Sequence, residues 1–135
     1  MKAIIYVEPH AKGRPRMTSI GGHAVAYTPK NTRIAESDIK AAIRDELKRR
    51  ERFGEGVPLV LYATFYRARP KTLKKSVKLP VQRPDLDNYL KTLLDALNKY
   101  AYVDDSQITQ FVVNKRFAPE GTPPRIEFIL EVEEI

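Results

Sequence analysis

The sequence predicts a small single-domain α/β fold, with helices packed on a mixed sheet and a C-terminal antiparallel hairpin. Three observations carry this prediction. Short β-branched runs alternate with two long stretches of helical periodicity. The last two apolar runs alternate with period two on either side of Pro123-Pro124. The 135 residues are 42% hydrophobic, enough for one core but not for two. The element order is strand, helix, strand, helix, strand, strand, spanning 1–135 as one domain, with no repeat and no linker.

Ala3 to Val7 (AIIYV) is short and β-branched, and Pro9 closes it, so it reads as a buried strand. Ala11 to Pro29 is rich in Gly, Pro, Lys and Arg and reads mainly as a basic loop, in which Gly21-Gly22 could turn a small hairpin. Asn31 or Thr32 can cap a helix from about Arg33 to Phe53, with Ile34, Ile39, Ala42, Ile43 and Leu47 on its apolar face and Gly54 and Gly56 as the stop. Val57 to Tyr66 is the second strand. Arg67 to Arg83 holds seven Lys or Arg and no acid, punctuated by Pro70 and Pro80; it reads as a loop with room for one short helix around Thr72 to Val77. After Pro84, the residues Leu86, Tyr89, Leu90, Leu93, Leu94 and Leu97 recur at helical spacing up to about Asn98. Ile108 to Phe117 and Ile126 to Val132 are the third and fourth strands.

Composition narrows the function. The chain has no cysteine, which removes disulfides, thiolate metal sites and cysteine nucleophiles and suits a reducing cytoplasm. No apolar run approaches the roughly 18 residues of a membrane span, and the first residues are too polar for a signal peptide, so a cytosolic setting is expected. The net charge of +7 is unevenly placed: residues 1–84 hold 19 Lys and Arg against 7 Asp and Glu, and residues 85–135 hold 5 against 10. A basic surface joined to an acidic cluster suits a polyanion binder with a cation site, although a solvated surface with uneven charge reads the same way.

The acidic cluster is the informative part. Asp85 and Asp87 stand at the start of the second helix; Asp87, Lys91 and Asp95 share one face at intervals of four; Asp104 and Asp105 follow in the connection to the next strand. Packing of helix and strand ends could bring the second pair back to the first. Clustered carboxylates repel one another unless a hard cation such as Mg²⁺ lies among them. Such an ion can lower the pKa of a water and neutralise a leaving oxygen in phosphodiester hydrolysis, and Lys91 can face charge developing on the phosphate. Plain structural readings stand beside this: an N-cap, a surface ion pair and an Asp-Asp turn. The residues alone leave the choice open, along with a non-catalytic DNA-binding protein and a transferase using Asp-x-Asp. The absence of a Gly-rich phosphate loop counts against the transferase.

The run RPDLDNYLKTLLDALN followed by YVDDSQI resembles the signature of the RusA-type crossover junction endodeoxyribonucleases. KGRPRM and YTPKNTR are similar to the basic N-terminal segment of one variant of that family. The resemblance implies a homodimeric, magnesium-dependent Holliday junction resolvase of DNA recombination and repair, of a type often carried by phages and prophages. It implies that Asp85, Asp87 and Asp105 bind metal and that Lys91 is catalytic, with Asp104 a further ligand or a neighbour supporting one. Asp95 then orients Lys91. The chain departs from the pattern in two places: the connection 98–102 lacks the usual glycine, and Tyr102 stands where Trp is common.

Given the family, Lys12, Arg14 and Arg16, together with Arg67, Arg69, Lys71, Lys74, Lys75, Lys78 and Arg83, are expected to contact the DNA backbone. Tyr27 could stack on an unpaired base or pack in the fold. His10 and His23 are read as loop residues, since Mg²⁺ does not ask for imidazole. Paired cuts on a four-way junction call for a two-fold dimer, with each active site expected within one chain.

Overall fold

The two amphipathic stretches are helices and the apolar runs are strands in a computed structural model that describes residues 1–10, 16–27 and 30–135, with the backbone alone for 16–20, 23–27 and 30–35. In chain order these are β1 (Lys2–Ile5), β2 (Arg16–Ile20), β3 (His23–Tyr27), α1 (Lys30–Leu47), β4 (Leu59–Arg67), α2 (Leu86–Leu97), β5 (Ile108–Phe117) and β6 (Arg125–Val132). A single 3₁₀ turn, Asp105–Gln107, leads into β5. The expected order holds, with one addition.

That addition is β2–β3. The basic stretch read mainly as a loop contains an antiparallel hairpin pairing Arg16 with Tyr27 through Ile20 with His23. Gly21 and Gly22 both have positive φ, at 57° and 81°. Two consecutive positive values are what a tight hairpin turn with matching strand twist needs, and glycine reaches them without a Cβ clash.

The main sheet has the order β1-β6-β4-β5, with β5 parallel to β4 and β6 antiparallel to it. β5 and β6 therefore run in opposite directions, as expected of the C-terminal pair. They form no ladder with each other, because β4 lies between them. The connection 118–124 explains this: Pro119, Pro123 and Pro124 stiffen it, and it crosses the end of β4 instead of closing a tight turn.

Helix α1 begins at Lys30 and ends at Leu47, earlier at both ends than its periodicity suggests. Residues 48–52 are all charged, so nothing there holds a helix on the core; Phe53 instead donates its amide to Ala101 O at 3.0 Å. Between Arg67 and Arg83 there is no helix, only turns closed by Leu73 N to Pro70 O and Val77 N to Lys74 O.

Both helices cover one face of the sheet. Ile39, Ile43 and Leu47 of α1 and Tyr89, Leu93, Ala96 and Leu97 of α2 pack on Leu59, Leu61, Ala63 and Phe65 of β4, Ile126, Phe128 and Leu130 of β6, and Ala3 and Ile5 of β1. Arg44 fastens the helices together by donating to Asp95 O at 3.2 Å and Ala96 O at 3.5 Å. A cation near the last carbonyls of a helix also suits its dipole. The other face of the sheet leaves Ile4, Tyr62 and Val112 exposed.

Candidate active site

Helix α2 runs back across the sheet from the C-terminal end of β4 to the start of β5. Its first turn carries Asp85 and Asp87. Asp85 occupies the N-cap position with φ −69° and ψ 147°, yet its carboxylate makes no capping hydrogen bond. Asp87 lies 3.8 Å from Lys91 Nζ, one turn on. Asp85, Asp87 and Lys91 are all exposed. An exposed i,i+4 pair is worth little to stability, so this arrangement is weakly held and open to a ligand.

The chain before α2 is firmly held. Lys115 of β5 donates to Gln82 O and Pro84 O, each at 3.0 Å. Arg67 donates to Arg83 O at 3.1 Å. The Arg83–Pro84 peptide bond is cis. Tyr89 stacks on Phe65 with ring centroids 5.4 Å apart, setting the first turn of α2 against β4. Burial raises the Tyr89 pKa, opposed by Arg67 and reinforced by Glu8.

Asp104 and Asp105 lie at the other end of α2, and their surroundings differ. Asp104 is a true cap: its carboxylate accepts from Ser106 N at 3.0 Å, while Gln107 Oε1 accepts from the Asp104 amide at 3.0 Å. Those bonds from Ser106 lower its pKa, helped by Lys99. Asp105 accepts a 2.5 Å hydrogen bond from the Tyr102 hydroxyl. Its pKa is raised, first by burial and then by the charges of Asp104 and Asp95, against the lowering effect of that bond. The Tyr102 phenol is pushed well above its ordinary range by burial, by the bond to Asp105 and by the two acids.

One chain thus brings Asp85, Asp87 and Lys91 together, and separately Asp95, Asp104 and Asp105. The 12 residues of α2 separate the two groups by roughly 18 Å. Among the described residues no three acidic or histidine side chains converge as a metal site. The first group can hold a hard cation through two carboxylates, with substrate phosphate and water completing the shell.

The basic residues divide by role. Lys71, Lys74, Lys75, Lys78 and Arg83 are exposed. Arg69 is turned inward: it donates to Val77 O and Lys74 O, both at 2.7 Å, and lies over the Phe117 ring at 5.1 Å. Arg67 is likewise engaged with Arg83 O. Lys12 and Arg14 lie outside the described residues, as do the side chains of Arg16, His23 and Tyr27. His10 Nε2 is buried without a hydrogen-bond partner among the described residues.

Sequence reasoning missed Lys115, which carries no motif signal on a strand, and the anchoring role of Gln107. The latter donates to Gly54 O at 2.8 Å and Val57 O at 3.1 Å. The spacing Asp104-x-x-Gln107 could have shown the capping box.

The sequence profile of the family described as Endodeoxyribonuclease RusA matches residues 7–131. The chain belongs to the RusA endodeoxyribonuclease family. A Bacillus subtilis (strain 168) protein, the uncharacterized protein YqaN, is 31% identical to this RusA-family chain over 140 residues, covering 96% of this chain and 94% of that protein. The crossover junction endodeoxyribonuclease rusA of Lactococcus phage r1t is 42% identical over 69 residues, about half of each chain. Both clusters of the RusA-like signature quoted above, 83–98 and 102–108, fall inside the matched span, with Asp85 and Asp87 at the start of α2 and Asp104 and Asp105 beyond its end.

Proposed function

We propose that the chain is a structure-selective endonuclease resolving four-way DNA junctions. It does so by Mg²⁺-dependent hydrolysis of phosphodiester bonds on two symmetry-related strands, in recombination and repair in the cytoplasm. The carrying observation is Asp85, which sits where a helix cap belongs and does no capping. With Asp87 two positions on and Lys91 one turn further, it leaves two exposed carboxylates beside an ammonium. The structural reading of the acids holds for Asp104 and fails for Asp85.

Asp85 and Asp87 hold the ion and neutralise their mutual repulsion against it. Mg²⁺ bound there supplies a water of lowered pKa and positive charge beside phosphorus. Lys91 presents its ammonium to the non-bridging phosphate oxygens, where negative charge develops. Lys115 and Arg67 position the turn that carries Asp85. Lys71, Lys74, Lys75, Lys78 and Arg83, with Lys12, Arg14 and Arg16, grip the DNA backbone without reading sequence. Arg67 and Arg69 serve chiefly to shape the basic loop. The phage relative's name supports the substrate class, and the working unit is a homodimer because paired cuts require two sites.

The test is a four-way junction incubated with Mg²⁺ and with wild type, Asp85→Asn or Asp87→Asn. Each variant should lose cutting by orders of magnitude while keeping or tightening junction binding, because a negative charge near phosphate has been removed. Ca²⁺, larger and looser in geometry, should support binding without efficient cutting. A variant that cuts at the wild-type rate overturns the assignment.

A further inference from the structure

Lys99 is the one non-glycine residue with positive φ among the described residues, at 69°. Left-handed backbone is uncommon for a residue with a Cβ. Where it persists the surrounding structure enforces it, and such positions cluster at working sites. Here the enforcement is visible. Arg52 donates to Lys99 O and Phe53 N donates to Ala101 O, each at 3.0 Å. Arg44 donates to Asp95 O and Ala96 O, and its guanidinium lies 4.2 Å from the centre of the Tyr100 ring. The end of α1 and the residues after it thus grip the turn that follows α2. Lys99 stays exposed, and Tyr100 beside it is 48% exposed.

The turn does not need a lysine for its own sake, since glycine adopts the same φ without strain. Nor is Lys99 the main support of the acidic turn. The hydrogen bonds from Ser106 come first in lowering the Asp104 pKa, and the charge of Lys99 comes last.

We propose that Lys99 is a phosphate contact for a duplex arm of the junction, at the end of α2 remote from Asp85. This rests on the function proposed above and extends its DNA footprint. Three cations, Arg44, Arg52 and Lys99, meet at the turn, and a polyanion is the partner that complements them. Arg44 and Arg52 are engaged with carbonyl oxygens, so the exposed ammonium of Lys99 is the member that meets a phosphate, as a point charge. Its backbone is fixed in advance, so binding orders the side chain alone. The length of α2 sets Lys99 roughly 18 Å from Asp85. Duplex DNA rises about 3.4 Å per base pair, so that span is roughly five base pairs. The basic loop 67–83 at one end of α2 and Lys99 at the other then hold one arm at two separated points. Two points fix the direction of the arm relative to the carboxylates, whereas one leaves it free to swing.

The test is the affinity of a fluorescent four-way junction in Ca²⁺, between about 50 and 200 mM salt, for wild type, Lys99→Gly, Lys99→Gln and Lys99→Arg. Lys99→Gly and Lys99→Gln should each lower the slope of log affinity against log salt by about 0.9, the value of one phosphate contact. Their deficit should then be about 3-fold larger at the low end of that range than at the high end. Lys99→Arg should keep the wild-type slope. Lys99→Gln and Lys99→Arg share the same backbone strain, so the difference between them reads charge alone. The loss should be equal on junctions of different sequence, because phosphate carries no sequence information. Lys2→Ala removes the same charge from the sheet face away from the helices and should leave the slope unchanged.

A wild-type slope in both Lys99→Gly and Lys99→Gln, or an equal fall in Lys2→Ala, overturns the contact. Neither result touches the proposed function, which is read from cutting of the same junction by wild type in Mg²⁺. If wild type neither binds nor cuts the junction, the contact and the function fall together.

Discussion

Tyr102 donates its hydroxyl proton to Asp105 across 2.5 Å from a position without solvent exposure. The bond joins the core to the acidic turn, and each partner shifts the other: the carboxylate raises the phenol pKa, and the phenol holds the carboxylate below where burial alone would put it.

Tyr102→Phe deletes that donor and little else. The expected result is a loss of about 1.5–3 kcal/mol, the usual range for a hydrogen bond to a charged group, read from urea unfolding. Asp105 should also titrate at higher pH in the variant, seen by NMR of its carboxyl carbon. An unchanged Asp105 titration would show that the bond does not form in solution.

The raised Asp105 pKa has a signed consequence for stability without metal. A carboxyl whose folded pKa exceeds its unfolded value of 3.8 favours the fold while protonated and loses that advantage as pH rises through the folded pKa. Asp105→Asn should therefore raise Tm at pH 7 by roughly 1–3 °C, with the gain shrinking as pH falls through the folded pKa and gone below the unfolded value. A gain that grew on acidification would reverse the sign and the argument.

Lys99 supplies a third prediction. It has φ 69° just past the end of α2, where left-handed backbone suits glycine. The turn closes regardless, with Ala101 N on Leu97 O at 2.8 Å and Arg52 on Lys99 O at 3.0 Å. Lys99→Gly should stabilise the protein by about 1 kcal/mol, since it relieves the Cβ clash and leaves both backbone bonds in place. Chemical denaturation decides it; destabilisation would mean that the lysine side chain matters more than its backbone.

Lys91→Ala should lower single-turnover cutting of bound junction by orders of magnitude, with Lys91→Arg restoring only part. A compact ammonium and a planar guanidinium place their charge differently. If binding alone weakened and the cutting step were unchanged, Lys91 would be a phosphate anchor.

Periodic elements were legible in the sequence. The leucines of α2 repeat on one face because one-sided burial writes itself into spacing, and the bounds of β5 are those expected from its apolar run. Strand neighbours were not legible: whether β6 pairs with β5 or with β4 depends on long-range packing that no local pattern encodes. The β2–β3 hairpin had a single strong mark, Gly21-Gly22. At the candidate site, residue identity was readable and position was not. Asp87 and Asp105 are eighteen positions apart in the chain, and the helix between them turns that nearness into separation. Propensity likewise favours Asp85 as the cap of α2, and only the structure shows that its carboxylate makes no capping bond.

The hold of Arg67 on Arg83 and of Lys115 on Gln82 and Pro84 has a consequence for how this chain can change length. The basic excursion leaves and rejoins the fold at one clasped neck, and Arg69 braces its interior. Residues added or removed near Lys74 and Lys75 change the length of this basic excursion on the far side of the clasp from Asp85. Reach and chemistry can therefore be varied independently.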